Sequence, residues 1–387
     1  MGIYIDYTAV TELERDIGEF TGAGNYTRDL ITLLKERGVA FKLLVYKGFI
    51  PRKKWEKELL PEEADPVKTG DITKLRFSRG DILLLPAVTG RILVKVRQIR
   101  KRNPDLKIYA VIHDRQHNIA RFDPMDSLFY RGIYRFIPVL YGRYVIKKLL
   151  YDLSYPALVK NVDKIFTVSN HTLQALDHKN VKRITYLYQP SSIAESAPVH
   201  VPGYEGLGKY ILFVSGGRPE KNLGRALLAF RDFCKEKDTD LKFCITGIDR
   251  KKLDIIAKRL KLPRGFIKKR VRAYDYVDRG ELSCLYRNCR YLLFLSKGEG
   301  FGLPVLEALE SGKTVLCSRQ SSMPEVCGSI LYYVDAYSVA SIREGMIYLN
   351  DDKNLLYREK LAEKKKKIID AQIELDKRIL ADEVTGE

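Results

Sequence analysis

The chain has 387 residues, 45% of them hydrophobic, which excludes a disordered protein and is enough for two cores, since one core rarely grows past about 250 residues. Its 68 Lys and Arg against 49 Asp and Glu leave a formal charge of +19, so an anionic partner is expected: nucleic acid, anionic lipid or a phosphorylated small molecule. No apolar stretch is long enough to cross a membrane, residues 1–10 lack the basic-then-apolar pattern of a secretory signal, and the six cysteines form no C-x-x-C pair, so buried thiols in the cytoplasm are expected.

Short β-rich apolar runs recur at residues 3–7, 41–46, 81–85, 107–112, 164–168 and 183–187. They return at 210–214, 241–246, 291–295, 314–317 and 330–334. Several are apolar on both faces, as strands of a covered parallel sheet are, and helical patterns alternate with them. The Pro- and Gly-rich stretch 189–208 has neither period and reads as a linker. The expected fold is α/β: two Rossmann-like, doubly wound domains facing across a cleft, with ligands beyond the carboxyl ends of the strands. Residues 1–195 form the first domain and 205–352 the second, followed by a charged helix at 353–387.

Four segments carry candidate chemistry. Near the N-terminus, Gly22, Gly24 and Asn25 form a glycine-rich approach to a helix, preceded by a charged stretch at 10–20 that suits a loop. His113 ends the strand at 107–112, where a histidine serves equally as a ligand-facing or a structural residue; His117 adds metal-like spacing but no third ligand. After the strand at 210–214 come Gly216, Gly217, Arg218, Lys221 and Asn222, where glycine amides and two cations suit an anion. After the strand at 291–295 come Glu299, Gly300, Phe301, Gly302, Leu303 and, one turn into a helix opened by Pro304, Glu307. Two carboxylates there suit a polyhydroxylated ligand that also carries phosphate. Asp238 and Asp240 spell D-x-D in a polar turn before a strand, and no metal is expected.

Between 128 and 160, aromatic residues alternate with cations, among them Arg131, Tyr134, Arg135, Tyr141, Arg143, Lys147 and Lys148. This composition suits the bilayer interface, and equally the wall of an acceptor cleft or an ordinary amphipathic helix. No nucleic-acid motif accompanies it, so nucleic acid is not expected as a partner.

The wording from Glu299 to Glu307, followed by the SSMPEVCG run at 321–328, resembles the E-x7-E signature of retaining GT-B glycosyltransferases, particularly family 4. The resemblance covers nearly the whole chain and is tightest over 210–328. It implies that Glu307 binds the ribose of a nucleotide-sugar donor and that Glu299 contacts the transferred sugar. It further implies that Lys221 and Arg218 neutralise the diphosphate, that Gly22, Gly24 and Asn25 lie near phosphate and acceptor, and that His113 approaches the anomeric centre. The family's commonest pattern has an Arg five positions before the lysine, where this chain has Gly216, so Lys221 is the firmer match. A Phe-Ser-Trp stretch common near the end of such enzymes is absent, so the resemblance does not fix the path of the last helix.

By this resemblance the chain is a retaining, metal-independent hexosyltransferase without a cofactor. Its expected context is capsule- or O-antigen-type synthesis, and the basic aromatic segment 128–160 adds the expectation of peripheral docking on the inner membrane face with a lipid-pyrophosphate-linked glycan as acceptor. A sugar-nucleotide epimerase of the same fold, or an inactive glycan- or membrane-binding protein, are the alternatives.

Overall fold

The computed structural model describes residues 2–11, 22–49, 66–88, 90–114, 122–176, 184–188, 207–237 and 239–385, with a few positions between 191 and 201. The stretch 10–20, the linker, His117 and Asp238 lie largely or wholly outside the described residues.

The chain divides into two compact units, each built on one parallel sheet. The first contains β1 (Ile3–Asp6), β2 (Lys42–Tyr46), β3 (Val67–Thr69), β4 (Ile82–Leu85), β5 (Lys107–Ile112), β6 (Lys164–Thr167) and β7 (Ile184–Tyr186) in the order β3-β2-β1-β4-β5-β6-β7. The second contains β8 (Tyr210–Phe213), β9 (Lys242–Thr246), β10 (Val271–Tyr274), β11 (Tyr291–Phe294), β12 (Val315–Ser318) and β13 (Tyr332–Val334) in the order β10-β9-β8-β11-β12-β13. Every residue of β4, β8, β11 and β12 is buried, because helices cover both faces of a doubly wound sheet. In each sheet the order reverses beside the first strand, between β1 and β4 and between β8 and β11, and such switch points are where open α/β sheets bind ligands.

The core of the second unit centres on Phe230, Phe233 and Phe243, with the rings of Phe230 and Phe243 stacked 5.1 Å apart. Cys244, Cys289, Cys317 and Cys327 are buried, and burial pushes the Cys289 thiol up to about 12.

One boundary differs from the sequence reading: residues 119–145, expected in the first domain, belong to the second unit. Residues 371–387, part of the charged helix whose path the sequence left open, belong to the first. The helix Asp352–Thr385 therefore runs from one unit into the other. Its last part is tied into the first unit by Asp376, which accepts from the Tyr188 amide at 2.6 Å, and by Glu383, which pairs with the buried Lys164. The exchange of 119–145 has an electrostatic cause, described next.

Candidate functional site

At the switch point of the second unit, the loops after β8 and β11 lie side by side, joined by the Lys297 amide donating to the Glu220 carbonyl at 2.9 Å. Lys221 ends a short 3-10 turn, Pro219–Lys221, and is buried. Its ammonium pairs with the Glu299 carboxylate and stands 5.0 Å from the centroid of the Phe294 ring. The sequence places these two residues 78 positions apart. The fold brings the cation and the carboxylate into contact.

Glu307 lies in the helix Leu303–Glu310, which Gly302 opens with φ 102°. Only glycine fits there, since a Cβ would lie 2.2 Å from the Met323 Cε as well as forcing a left-handed side chain. The helix ends at Gly312 (φ 73°), whose amide donates to Leu309 while that of Lys313 donates to Ala308, a Schellman stop. Glu307 is buried, and the Tyr286 hydroxyl donates to its Oε2 at 2.8 Å. Burial, then the charge of Glu307, holds the fully buried Tyr286 phenol well above its ordinary range, so it stays a donor. Tyr286 carries no sequence signal: it sits in the helix Arg279–Asn288, 21 residues before its partner.

The loop 299–301 is fixed from behind. The Ser322 hydroxyl lies 3.0 Å from the Phe301 carbonyl and 3.2 Å from that of Glu299, while Phe301 is buried. This gives the 321–328 run a physical function, holding the acidic loop in place. Next along, Glu310 accepts from the Ser191 hydroxyl at 2.8 Å, and burial raises its carboxyl to about 7.

The glycine loop after β8 differs from its sequence reading. The Gly216 amide donates to Thr246 at 2.8 Å and that of Gly217 to Gly247 at 2.9 Å. These amides are therefore occupied by the neighbouring turn. The same turn requires glycine at both positions, because a Cβ would lie 2.4 Å from Ile245 at Gly216 and 2.4 Å from the Gly247 carbonyl at Gly217. Arg218 pairs with Glu220 at 2.5 Å. Asn222 is left-handed (φ 69°), and its side chain is used internally: Nδ2 donates to Ala336 at 2.6 Å and Oδ1 accepts from Arg225 at 3.1 Å. Among the cations of this loop, Lys221 alone is buried.

A second buried lysine was not legible. Lys297 precedes Glu299 by two residues and pairs with Asp123 at 2.9 Å and with Asp126. Asp123 also accepts from both terminal nitrogens of Arg225, at 2.5 and 3.1 Å. Burial would raise the Asp123 carboxyl, but Arg225 and Lys297 outweigh it and hold it at about 2. For Asp126 the balance goes the other way, and burial raises it. Arg259 adds bonds to the carbonyls of Leu128 at 2.5 Å and Tyr130 at 3.0 Å. This network fastens 122–130 to the second unit, which is why 119–145 folds there. The one sequence trace is Asp123-Pro124, a helix-start pair: Asp123 accepts from the Met125 amide at 3.1 Å and opens the 3-10 helix Pro124–Phe129.

In the first unit, His113 follows β5, and its Nε2–H donates to the Pro86 carbonyl at 2.8 Å. Burial lowers its pKa, outweighing that hydrogen bond, so the ring is neutral at pH 7. Tyr26 packs edge-on against it at 5.2 Å. Gly22, Gly24 and Asn25, expected as the approach to a helix, lie within its first turn, since the helix runs Gly22–Glu36.

Two parallel doubly wound units with a cation and two carboxylates at the second switch point are of the GT-B type. The solved sucrose-phosphate synthase of Thermosynechococcus elongatus superposes with TM-score 0.68 at 12% identity, covering 100% of both chains. Anabaena HepE, solved with UDP and glucose, gives 0.65 at 14% identity, again over 100% of both. Residues 204–368 match the family model of glycosyl transferases group 1. The chain is similar to the O-antigen chain mannosyltransferase B of Escherichia coli, 31% identical over 166 residues. That match spans 43% of this chain and 43% of the relative. A shorter stretch of 79 residues is 39% identical to the serotype-specific mannosyltransferase WbdA of Escherichia coli, covering 20% of this chain and 10% of that protein.

Proposed function

We propose that the protein is a retaining glycosyltransferase that moves a hexose or deoxyhexose from a nucleotide-sugar to a glycan acceptor. The observation that carries this reading is the buried Lys221–Glu299 pair beside the Tyr286-bound Glu307. Glu307, its Oε2 held by Tyr286, offers its carboxylate to the ribose hydroxyls. Lys221 supplies charge for the diphosphate, and Glu299 orients the sugar hydroxyls. The anomeric C–O bond to the diphosphate breaks with its electron pair leaving on phosphate, where Lys221 stabilises the growing charge. The acceptor hydroxyl forms the new bond on the same face, and its proton passes to the departing phosphate oxygen. His113 acts as a neutral imidazole that steadies the oxocarbenium-like state. No metal is needed in this scheme, because Lys221 meets the leaving charge.

One named relative is an O-antigen chain mannosyltransferase and the other a serotype-specific mannosyltransferase, which supports a place in bacterial surface-polysaccharide assembly of O-antigen or capsule type. The acceptor is read as a lipid-pyrophosphate-linked glycan, met by a cytoplasmic enzyme peripheral on the inner membrane face. The test is thermal stabilisation by UDP, GDP, dTDP and their sugars, since a ligand of the native state raises Tm. A shift with one nucleotide family, lost in Glu307→Ala, is expected. No shift with any of them would remove the donor assignment.

A further inference from the structure

The helix Ile137–Asn161 is apolar on two sides, a pattern that normally means burial on both. Its inner side is buried, through Leu140, Tyr155 and Leu158. Its outer side is not. At about 100° per residue, Val139, Val145, Ile146, Leu149, Leu150 and Leu153 fall within one arc of about 140° opposite Leu140. All six are exposed, Leu153 to 69%. The other positions of that arc between 137 and 153 are Pro138 and Gly142, so it contains no charge. Arg143 and Lys147 border it on one side, and the exposed Asp152 and, further round, Lys148 on the other. The preceding turn continues the surface with Ile133 and Phe136, exposed to 62% and 65%, beside the exposed Arg131 and Arg135.

We infer that this face, from Ile133 to Leu153, docks by inserting its apolar arc into an anionic lipid bilayer, with the bordering cations at the headgroups. An apolar strip whose surroundings carry Arg131, Arg135, Arg143, Lys147 and Lys148 against the single acid Asp152 matches the two layers of such an interface, hydrocarbon within and phosphate above. The inference deepens the membrane reading given above by naming the surface and its mode, insertion rather than adsorption by charge. It does not depend on the donor assignment, which the nucleotide shifts test in the absence of lipid.

The test is flotation of the full chain with phosphatidylcholine vesicles with and without phosphatidylglycerol. Wild type should float with the anionic vesicles at low salt. The triple change Leu149→Ser, Leu150→Ser, Leu153→Ser should lower that partition by tenfold or more while leaving nucleotide-induced shifts unchanged. Arg143→Gln with Lys147→Gln should weaken binding to anionic vesicles alone. Against a Trp55→Phe background, Leu150→Trp should be quenched by brominated acyl chains, a readout that keeps the exposed site apolar. Wild type that stays in solution, a serine variant that floats like wild type, an unquenched tryptophan, or a dimer that the serine variant dissolves would each overturn the inference.

Discussion

Two buried lysines stand at the carboxyl ends of neighbouring strands, Lys221 after β8 and Lys297 after β11. Each is paired with acid, but their companions differ. Lys221 has one carboxylate, Glu299, which the proposed reaction needs for the sugar. Lys297 has two, Asp123 and Asp126, the first also shared with Arg225. In the proposed reaction the lysine with a single, functional partner is the one that meets the diphosphate, when Glu299 turns to the sugar. A lysine enclosed by two carboxylates is committed to the fold. On the proposed function, burial and charge alone do not separate a binding residue from a fastening one; the number and origin of the partners do.

Substitutions can break this comparison. The largest effect is expected at Lys297→Met, which leaves Asp123 and Asp126 facing one cation fewer in a buried site and should destabilise by about 3–5 kcal/mol. Urea denaturation measures it, and a loss under 1 kcal/mol would mean the network does not fasten 122–130. Lys221→Ala also leaves a buried carboxylate, Glu299, without its cation and so costs stability, but its distinguishing effect should be roughly a hundredfold loss of turnover in the protein that remains folded. Wild-type-like transfer by this variant would remove the cation from the mechanism.

Tyr286→Phe sharpens the picture of Glu307: losing one buried hydrogen bond of about 1–1.5 kcal/mol should weaken nucleotide affinity up to about tenfold. Calorimetric titration with the stabilising nucleotide reads this, and unchanged affinity would make Tyr286 a packing residue only.

The smallest effects are in pH dependence. Asp123 is depressed from 3.8 to about 2, so its contribution is complete above the unfolded value and is lost as pH falls through about 4 to about 2. Asp123→Asn should flatten the stability–pH curve in that window. Glu310 is raised from 4.5 to about 7, so the folded state binds the extra proton and loses stability as pH rises from about 4.5 to about 7. Glu310→Gln should therefore raise Tm at pH 8 and leave it unchanged at pH 4.

Parallel strands buried on both faces are written as apolar runs, and for that reason most of both sheets was legible. The two strands that were missed, β3 (VKT) and β10 (VRAY), are the outermost strands on one side of each sheet, short and carrying Lys68 or Arg272. At the site, the sequence pointed to Glu299, Glu307 and Lys221 through local spacing after a strand. It misjudged Gly216 and Gly217 because a glycine that serves a neighbouring turn looks like one that serves a ligand. It was silent on Tyr286 and Lys297, whose partners lie 21 or more positions away and follow no period.

The fastening of 122–130 also bears on how the protein can be divided. A fragment cut at the limits of the family match, 204–368, carries Arg225, Lys297 and Arg259 but not the carboxylates and carbonyls that receive them. Such a fragment would expose an unsatisfied cationic patch where the intact chain has a closed one. Chimeras that exchange the second half between relatives should therefore carry residues 119–145 from the same parent, because the unit that recombines is discontinuous in the gene.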